Sequence, residues 1–165
     1  MRWLRPSLLA MILAGCGSAQ AEVDDLPLVD YVRVDKSERV LTLYSGGMPI
    51  RTYQGLQLGD APEGHKRFEG DERTPEGVYT IDYRNPQSAY HLSLHISYPN
   101  AADTDFARSR GRSPGGAIFI HGQPNWLPAG RLPGDWTDGC IALDNAEIAE
   151  LWRLIPDGTP IEITN

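Results

Sequence analysis

Tyr90-His91-Leu92-Ser93-Leu94-His95-Ile96-Ser97-Tyr98 alternates between two kinds of side chain along its whole length. Successive side chains of an extended strand point to opposite faces. Leu92, Leu94, Ile96 and Tyr98 therefore share one face, and His91, Ser93, His95 and Ser97 the other. A helix, with its period of 3.6, would scatter the same residues around its circumference. The stretch reads as a strand with one apolar face, stopped by Pro99-Asn100.

The same reading extends outward. Leu28–Val34, Arg39–Tyr44, Pro49–Gln54, Val78–Arg84, Ala117–His121 and Thr159–Thr164 are further strands. Ser45-Gly46-Gly47 is a hairpin signal, because adjacent glycines readily take positive φ. Asp103–Arg110 reads as one or two helical turns. The strongest helix begins after Asp144, which can cap it, with Glu147 completing a capping box. Ile148, Leu151, Trp152 and Ile155 form its apolar face, and Pro156-Asp157-Gly158 ends it. The expected class is mostly β, with one packed C-terminal helix and short extra helical turns. Residues 59–77 break the pattern with glycine, proline and charge; so long a loop in a small domain is usually functional.

Composition sets limits. With 165 residues, the chain holds one modest domain. Its formal net charge of −7 argues against nucleic acid, whose phosphates require a basic surface. The first residues read as a targeting segment: Arg2 and Arg5 precede a short apolar run, Ser7–Ala14, too short to span a bilayer. Leu13-Ala14-Gly15-Cys16 resembles a bacterial lipobox, which would remove residues 1–15 and make Cys16 the lipidated first residue. Cleavage after Ala21 is the alternative. Residues 16–27 read as a tether, and 28–165 as the domain. Either route removes Cys16 as a thiol and leaves Cys140 unpaired in an oxidising compartment, where cysteines are usually paired.

Cys140 follows the turn Asp138-Gly139, at the point where a strand begins. Glycine there lets a substrate approach the backbone, and N–H groups at such a turn can face a developing oxyanion. A buried structural cysteine is the ordinary alternative. His121 ends a strand and precedes Gly122, a position suited to a general base. His65, His91 and His95 read as structural or substrate-contacting. The ligand spacings of a zinc site and the glycine pattern of a phosphate loop are both missing, so no metal and no cofactor are expected.

Ile118-Phe119-Ile120-His121-Gly122, followed by Thr137-Asp138-Gly139-Cys140-Ile141, resembles the signature of the L,D-transpeptidase catalytic (YkuD) domain. Lys36–Tyr44 resembles the opening hairpin of that family, and Thr74-Pro75-Glu76-Gly77-Val78-Tyr79 another of its segments. Leu94–Asn100 resembles a segment of one exported subgroup. The resemblance implies a β-sandwich-like domain acting on peptidoglycan stem peptides. In it, Cys140 forms a thioester with the L-residue of an L,D-peptide bond, and His121 is the base. Thr137 is a hydroxyl partner, and the N–H groups of Gly139 and Cys140 form the oxyanion hole. Gly122, Asp138, His95 and Tyr98 are expected to contact substrate. Where the family carries arginine two positions after the cysteine, this chain has Ala142; Arg108, Arg110, Arg131 and Arg153 are candidates to replace its charge. The Gly-Cys-Ile-Ala-Leu form resembles a subgroup that includes hydrolases releasing peptidoglycan-linked lipoprotein. The acceptor is thus an amine, giving a transpeptidase, or water, giving a hydrolase; a catalytically inactive wall-binding lipoprotein is the third reading.

Overall fold

The computed structural model describes residues 26–165. The leader, the lipidation site at Cys16 and most of the tether lie outside the described residues. Eight strands and two helices follow in order: β1 (Tyr31–Asp35), β2 (Val40–Ser45), β3 (Met48–Gln54), β4 (Gly77–Asn85), β5 (Ser93–Ile96), α1 (Ala101–Arg108), β6 (Ile118–His121), β7 (Ile141–Ala142), α2 (Asn145–Leu154) and β8 (Thr159–Thr164). The strands form a single sheet in the order β3-β2-β1-β8-β4-β5-β6-β7. β8 runs parallel to β1 and antiparallel to β4, which joins the N-terminal hairpins to the site-bearing half.

The expected sandwich is thus one sheet curled on itself. After β3 the chain returns to the far edge: Gln57 N–H donates to Ala142 O at 3.0 Å, and Ala142 N–H to Gln57 O at 2.8 Å. Val32, Val34, Leu41, Leu43, Ile161 and Ile163 fill the interior from one half. Leu94, Ile96, Ile118, Ile120 and Ile141 fill it from the other, with Ile148 and Leu151 of α2 among the buried core. Burial of side chains this size stabilises by about 1.5–3 kcal/mol each.

Local chemistry fixes the ends. Gly46 and Gly47 both have positive φ (57° and 77°), the two-residue geometry that matches strand twist. Glu147 Oε2 accepts from Asp144 N–H at 3.0 Å at the start of α2. The structure differs from the sequence reading in three places. β5 is shorter than the alternating stretch, because His91 sits at φ 64° and breaks the extension. α1 starts earlier, at Ala101, because Asn100 caps it: Asp103 is its third residue and bonds back to Asn100 N–H at 3.0 Å. β7, only two residues long, falls below what periodicity can show.

The 59–77 loop carries no strand before Gly77, yet it is pinned throughout. Lys36, 2% exposed, donates to Gly64 O at 2.7 Å, Thr74 O at 3.3 Å and Glu76 Oε1 at 2.8 Å, so the ammonium is fully satisfied. Asp71 accepts from Lys66 Nζ and from the N–H groups of Arg67, Phe68 and Arg73. His65 Nδ1 accepts from Glu76 N–H, which fixes the tautomer whose Nε2–H donates to Asp103. Lys36→Met keeps the stem but strands two carbonyls and a carboxylate. The expected loss in urea unfolding is about 2–4 kcal/mol, and proteolysis within 59–77 should precede global unfolding. An unchanged midpoint would show that the ammonium does not hold this loop.

Candidate active site

β6 and β7 pair in parallel, with Ile120 beside Ile141 and His121 beside Ala142. Cys140, one residue before β7, therefore lies beside Phe119, and the Phe119 N–H points at its Sγ at 3.4 Å. Phe119 and His121 share a sheet face, as residues two apart on a strand must. Cys140 and His121 both open on one cavity of about 430 Å³, also lined by Asn85, Ser93, Tyr90 and Trp136.

The thiol is held as a neutral group. Its S–H donates to Ala117 O at 3.6 Å while Sγ accepts from Phe119. Burial pushes its pKa up to about 11, and the nearby Asp138 carboxylate adds to that; the Phe119 N–H and Lys66 pull the other way. Ala117, which supplies the carbonyl, takes φ 53°, a left-handed conformation costing a non-glycine residue about 1–3 kcal/mol.

His121 is 3% exposed, and burial lowers its pKa, opposed by its bond to Gly122. The imidazole is thus neutral near pH 7. Its Nδ1 lies 2.7 Å from Gly122 O, so Nδ1 carries the proton and Nε2 keeps the lone pair. The Tyr90 ring lies 4.6 Å from the imidazole and the Trp136 ring 5.6 Å, boxing it from two sides. In the resting geometry the sulfur bonds Ala117, not His121; such contacts commonly tighten only when substrate binds.

The Cys140 turn is built from backbone contacts. Gly139 sits at φ 120°, and a Cβ there would collide with Arg73 O. Gly59 is equally restricted by Glu72 O and by Gly139 N. The long loop is therefore a cradle for the cysteine turn. Thr137 Oγ1 donates to Cys140 O at 2.8 Å and accepts from Gly139 N–H at 3.2 Å, locking the turn. Of the two N–H groups expected to face an oxyanion, that of Gly139 is committed to Thr137. The Cys140 N–H has no partner among the described residues.

The other expected contacts divide. Asp138 lines the cavity. Gly122 does not: it packs against Asn145, His91 and Ile148, and acts through the carbonyl that orients His121. Tyr98 lies in the core, 3% exposed, with its hydroxyl on Pro114 O. His95 stands one strand beyond Phe119, outside the cavity wall. None of Arg108, Arg110, Arg131 or Arg153 lines the cavity; Arg131 bonds Gly55 O and pairs with Asp144. Ala142 is instead bridged through its backbone by Gln57, whose side chain accepts from Gln123 Nε2 at 3.0 Å. Neither glutamine carries a spacing signal, nor do Tyr90 and Trp136, so nothing local singles them out. Among the described residues no cluster of histidine, cysteine and acidic side chains could hold a metal ion.

A model of the L,D-transpeptidase catalytic domain (YkuD) matches residues 29–163. YafK of Escherichia coli (strain K12) is 28% identical over 135 residues, covering 76% of this chain and 46% of that protein. The chain thus spans about half the length of the curated relatives it matches. Among solved structures, the helical cell shape determining protein Pgp2 from Campylobacter jejuni superposes with a TM-score of 0.67 at 29% identity, over 83% of this chain and 48% of that one. Bd1075 of Bdellovibrio bacteriovorus gives 0.56 at 29% identity, over 81% and 47%. An L,D-transpeptidase from Xylanimonas cellulosilytica shares the fold at 15% identity, with a TM-score of 0.54 over 85% and 62%. The chain belongs to the YkuD L,D-transpeptidase catalytic domain family.

Proposed function

We propose that this protein is an exported, cysteine-dependent acyl transferase acting on peptidoglycan stem peptides, held at the membrane by a lipid on Cys16. The observation that carries the catalytic part is that a thiol on a locked turn and a neutral imidazole, whose Nε2 has no partner among the described residues, line one cavity. The carbonyl of an L,D-peptide bond enters beside Cys140. The S–H leaves Ala117 O, and His121 Nε2 takes the proton as the C–S bond forms. The Cys140 N–H receives the oxyanion. Collapse breaks the C–N bond, and the imidazolium returns the proton to the leaving D-amino acid amine. The thioester then passes its acyl group to an amine of a second stem peptide.

One observation favours a second reading. Ala142 is fully buried, and no arginine among the described residues lines the cavity to hold an acceptor carboxylate. Water then competes with the amine, and the same Cys140–His121 pair works as a hydrolase that trims stem peptides or releases a peptidoglycan-linked lipoprotein. A part in cell shape, which the name of Pgp2 carries, would follow from either fate, since both change cross-linking of the wall. An inactive wall-binding lipoprotein would leave the thiol unacylated.

Two measurements test this. Incubation with a tetrapeptide-stem muropeptide should give an acyl adduct on Cys140 by mass spectrometry. Exchange with an added D-amino acid marks the transferase, and tripeptide alone marks the hydrolase. Cys140→Ala should reduce turnover by roughly a thousandfold or more with the fold intact; unchanged turnover would sink the mechanism. The second is pH-dependent alkylation of the free enzyme. With a thiol pKa of about 11, iodoacetamide reactivity should climb about tenfold per pH unit from 7 to 10. A plateau at neutral pH would instead reveal a resting thiolate–imidazolium pair.

A further inference from the structure

The register of the sheet lays three aromatic rings in a row leading away from the thiol. Tyr83 of β4 pairs with His95 of β5, His95 pairs with Phe119 of β6, and the Phe119 N–H reaches Cys140 Sγ. The Tyr83 and His95 rings stack at 4.4 Å with an interplanar angle of 19°. Phe119 meets both edge-on, at 4.9 Å from His95 and 6.0 Å from Tyr83.

A bulge puts Tyr83 there. On β4, Ile81 pairs with Ile96 and Tyr83 with His95, so two steps on one strand match a single step on the other. Simple alternation would place Ile81 and Tyr83 on the same face. Instead Ile81 is buried in the core and Tyr83 is 46% exposed. Bulges beside active sites commonly re-aim a side chain in this way. β8 pairs with β4 only from Gly77 to Ile81, so among the described residues no strand lies against the outer side of Tyr83. The extra residue, Asp82, bonds His95 Nδ1 at 2.6 Å. That contact orients the imidazole and leaves its Nε2 without a partner among the described residues.

We propose that the Tyr83–His95–Phe119 row is a saccharide subsite, which binds the sugar attached to the stem peptide while the peptide's scissile carbonyl lies at Cys140. The inference rests on the peptidoglycan reading above and deepens it. Two arguments select a sugar. The outer ring face of Tyr83, opposite the one stacked on His95, is flat and electron-rich and suits the C–H face of a pyranose, while His95 Nε2 and the Tyr83 hydroxyl offer partners to sugar hydroxyls. A cationic ligand fits less well, because the one carboxylate at the row is already engaged by His95.

The second argument is length. From Cys140 to Tyr83 the row crosses three strand spacings, about 14 Å at 4.7–4.9 Å each. In a stem peptide, three residues separate the scissile carbonyl from the sugar-bearing end. At about 3.3–3.6 Å per residue these span about 10–11 Å, and the ether link to the sugar adds to that. The sugar therefore arrives at the end of the row, where the outer face of Tyr83 is left open by the stack.

The test uses the Cys140→Ala chain, which cannot turn over its ligand, and two probes: a disaccharide-tetrapeptide and the same tetrapeptide without sugar. Titration calorimetry should give the sugar-bearing probe a Kd about tenfold lower. Tyr83→Ala should bring the ratio of the two Kd values to within about twofold, and Tyr83→Trp should restore it. Equal affinities in the parent, a ratio unmoved by Tyr83→Ala, or equal weakening of both probes would overturn the subsite. Equal weakening would mark the row as a peptide contact. The unsubstituted chain with the free tetrapeptide separates the two levels. Acylation of Cys140 together with a Kd ratio near one removes the subsite and keeps the enzyme. A Tyr83-dependent ratio without acylation keeps the subsite and removes the enzyme. Binding of neither probe at millimolar concentration overturns both.

Discussion

The parallel pairing of β6 with β7 is the constraint on which the site depends. It is only two residue pairs long, Ile120 with Ile141 and His121 with Ala142. Because side chains alternate, a slip of one residue would turn Cys140 toward the interior and Ile141 toward the cavity. The register survives because other contacts define it. Gln57 clamps Ala142 from the opposite edge, the core takes Ile120 and Ile141 at full burial, and Thr137 closes the turn before the strand. A short strand carries a catalytic geometry only when its neighbours leave it no other position.

The same logic explains the long loop. Its residues were legible as an interruption rich in glycine, proline and charge. The structure turns that charge inward: Lys66 pairs with Asp71 within the loop and Glu76 with Lys36, just after β1, so the carbonyls of Glu72 and Arg73 press against Gly59 and Gly139. Only glycine fits at these two contacts. The loop is a wall of the site.

Most strands and the bounds of the C-terminal helix were readable from period, turn residues and caps, since these are local signals. The hairpin at Gly46-Gly47 and the start of α2 at Asp144 are of this kind. Cys140 and His121 were legible as a pair through residue type and their place beside turns. Long-range facts were not. The bulge at Asp82 reverses the facing of Tyr83, the left-handed His91 shortens β5, and Tyr98 is drawn into the core by Pro114. Each depends on a partner far away in the chain. Gly139 shows the limit within the motif itself: its N–H goes to Thr137, a hydroxyl two residues back, which leaves the Cys140 N–H as the free donor.

The protonation state of the thiol has a functional meaning. With a pKa of about 11, forming the thiolate at pH 7 costs on the order of 5 kcal/mol. A resting thiolate would react with any oxidant, and in the exported setting proposed above it would meet them. The neutral thiol, held by Ala117 and Phe119, avoids that hazard. In the mechanism proposed above, the proton moves as the carbonyl is attacked, with the negative charge passing to an oxygen facing the Cys140 N–H. In this arrangement the substrate completes the nucleophile: charge appears only when there is an acyl carbon to accept it. A buried neutral histidine suits that task, because desolvation that disfavours a standing imidazolium still permits one paired with an oxyanion at close range.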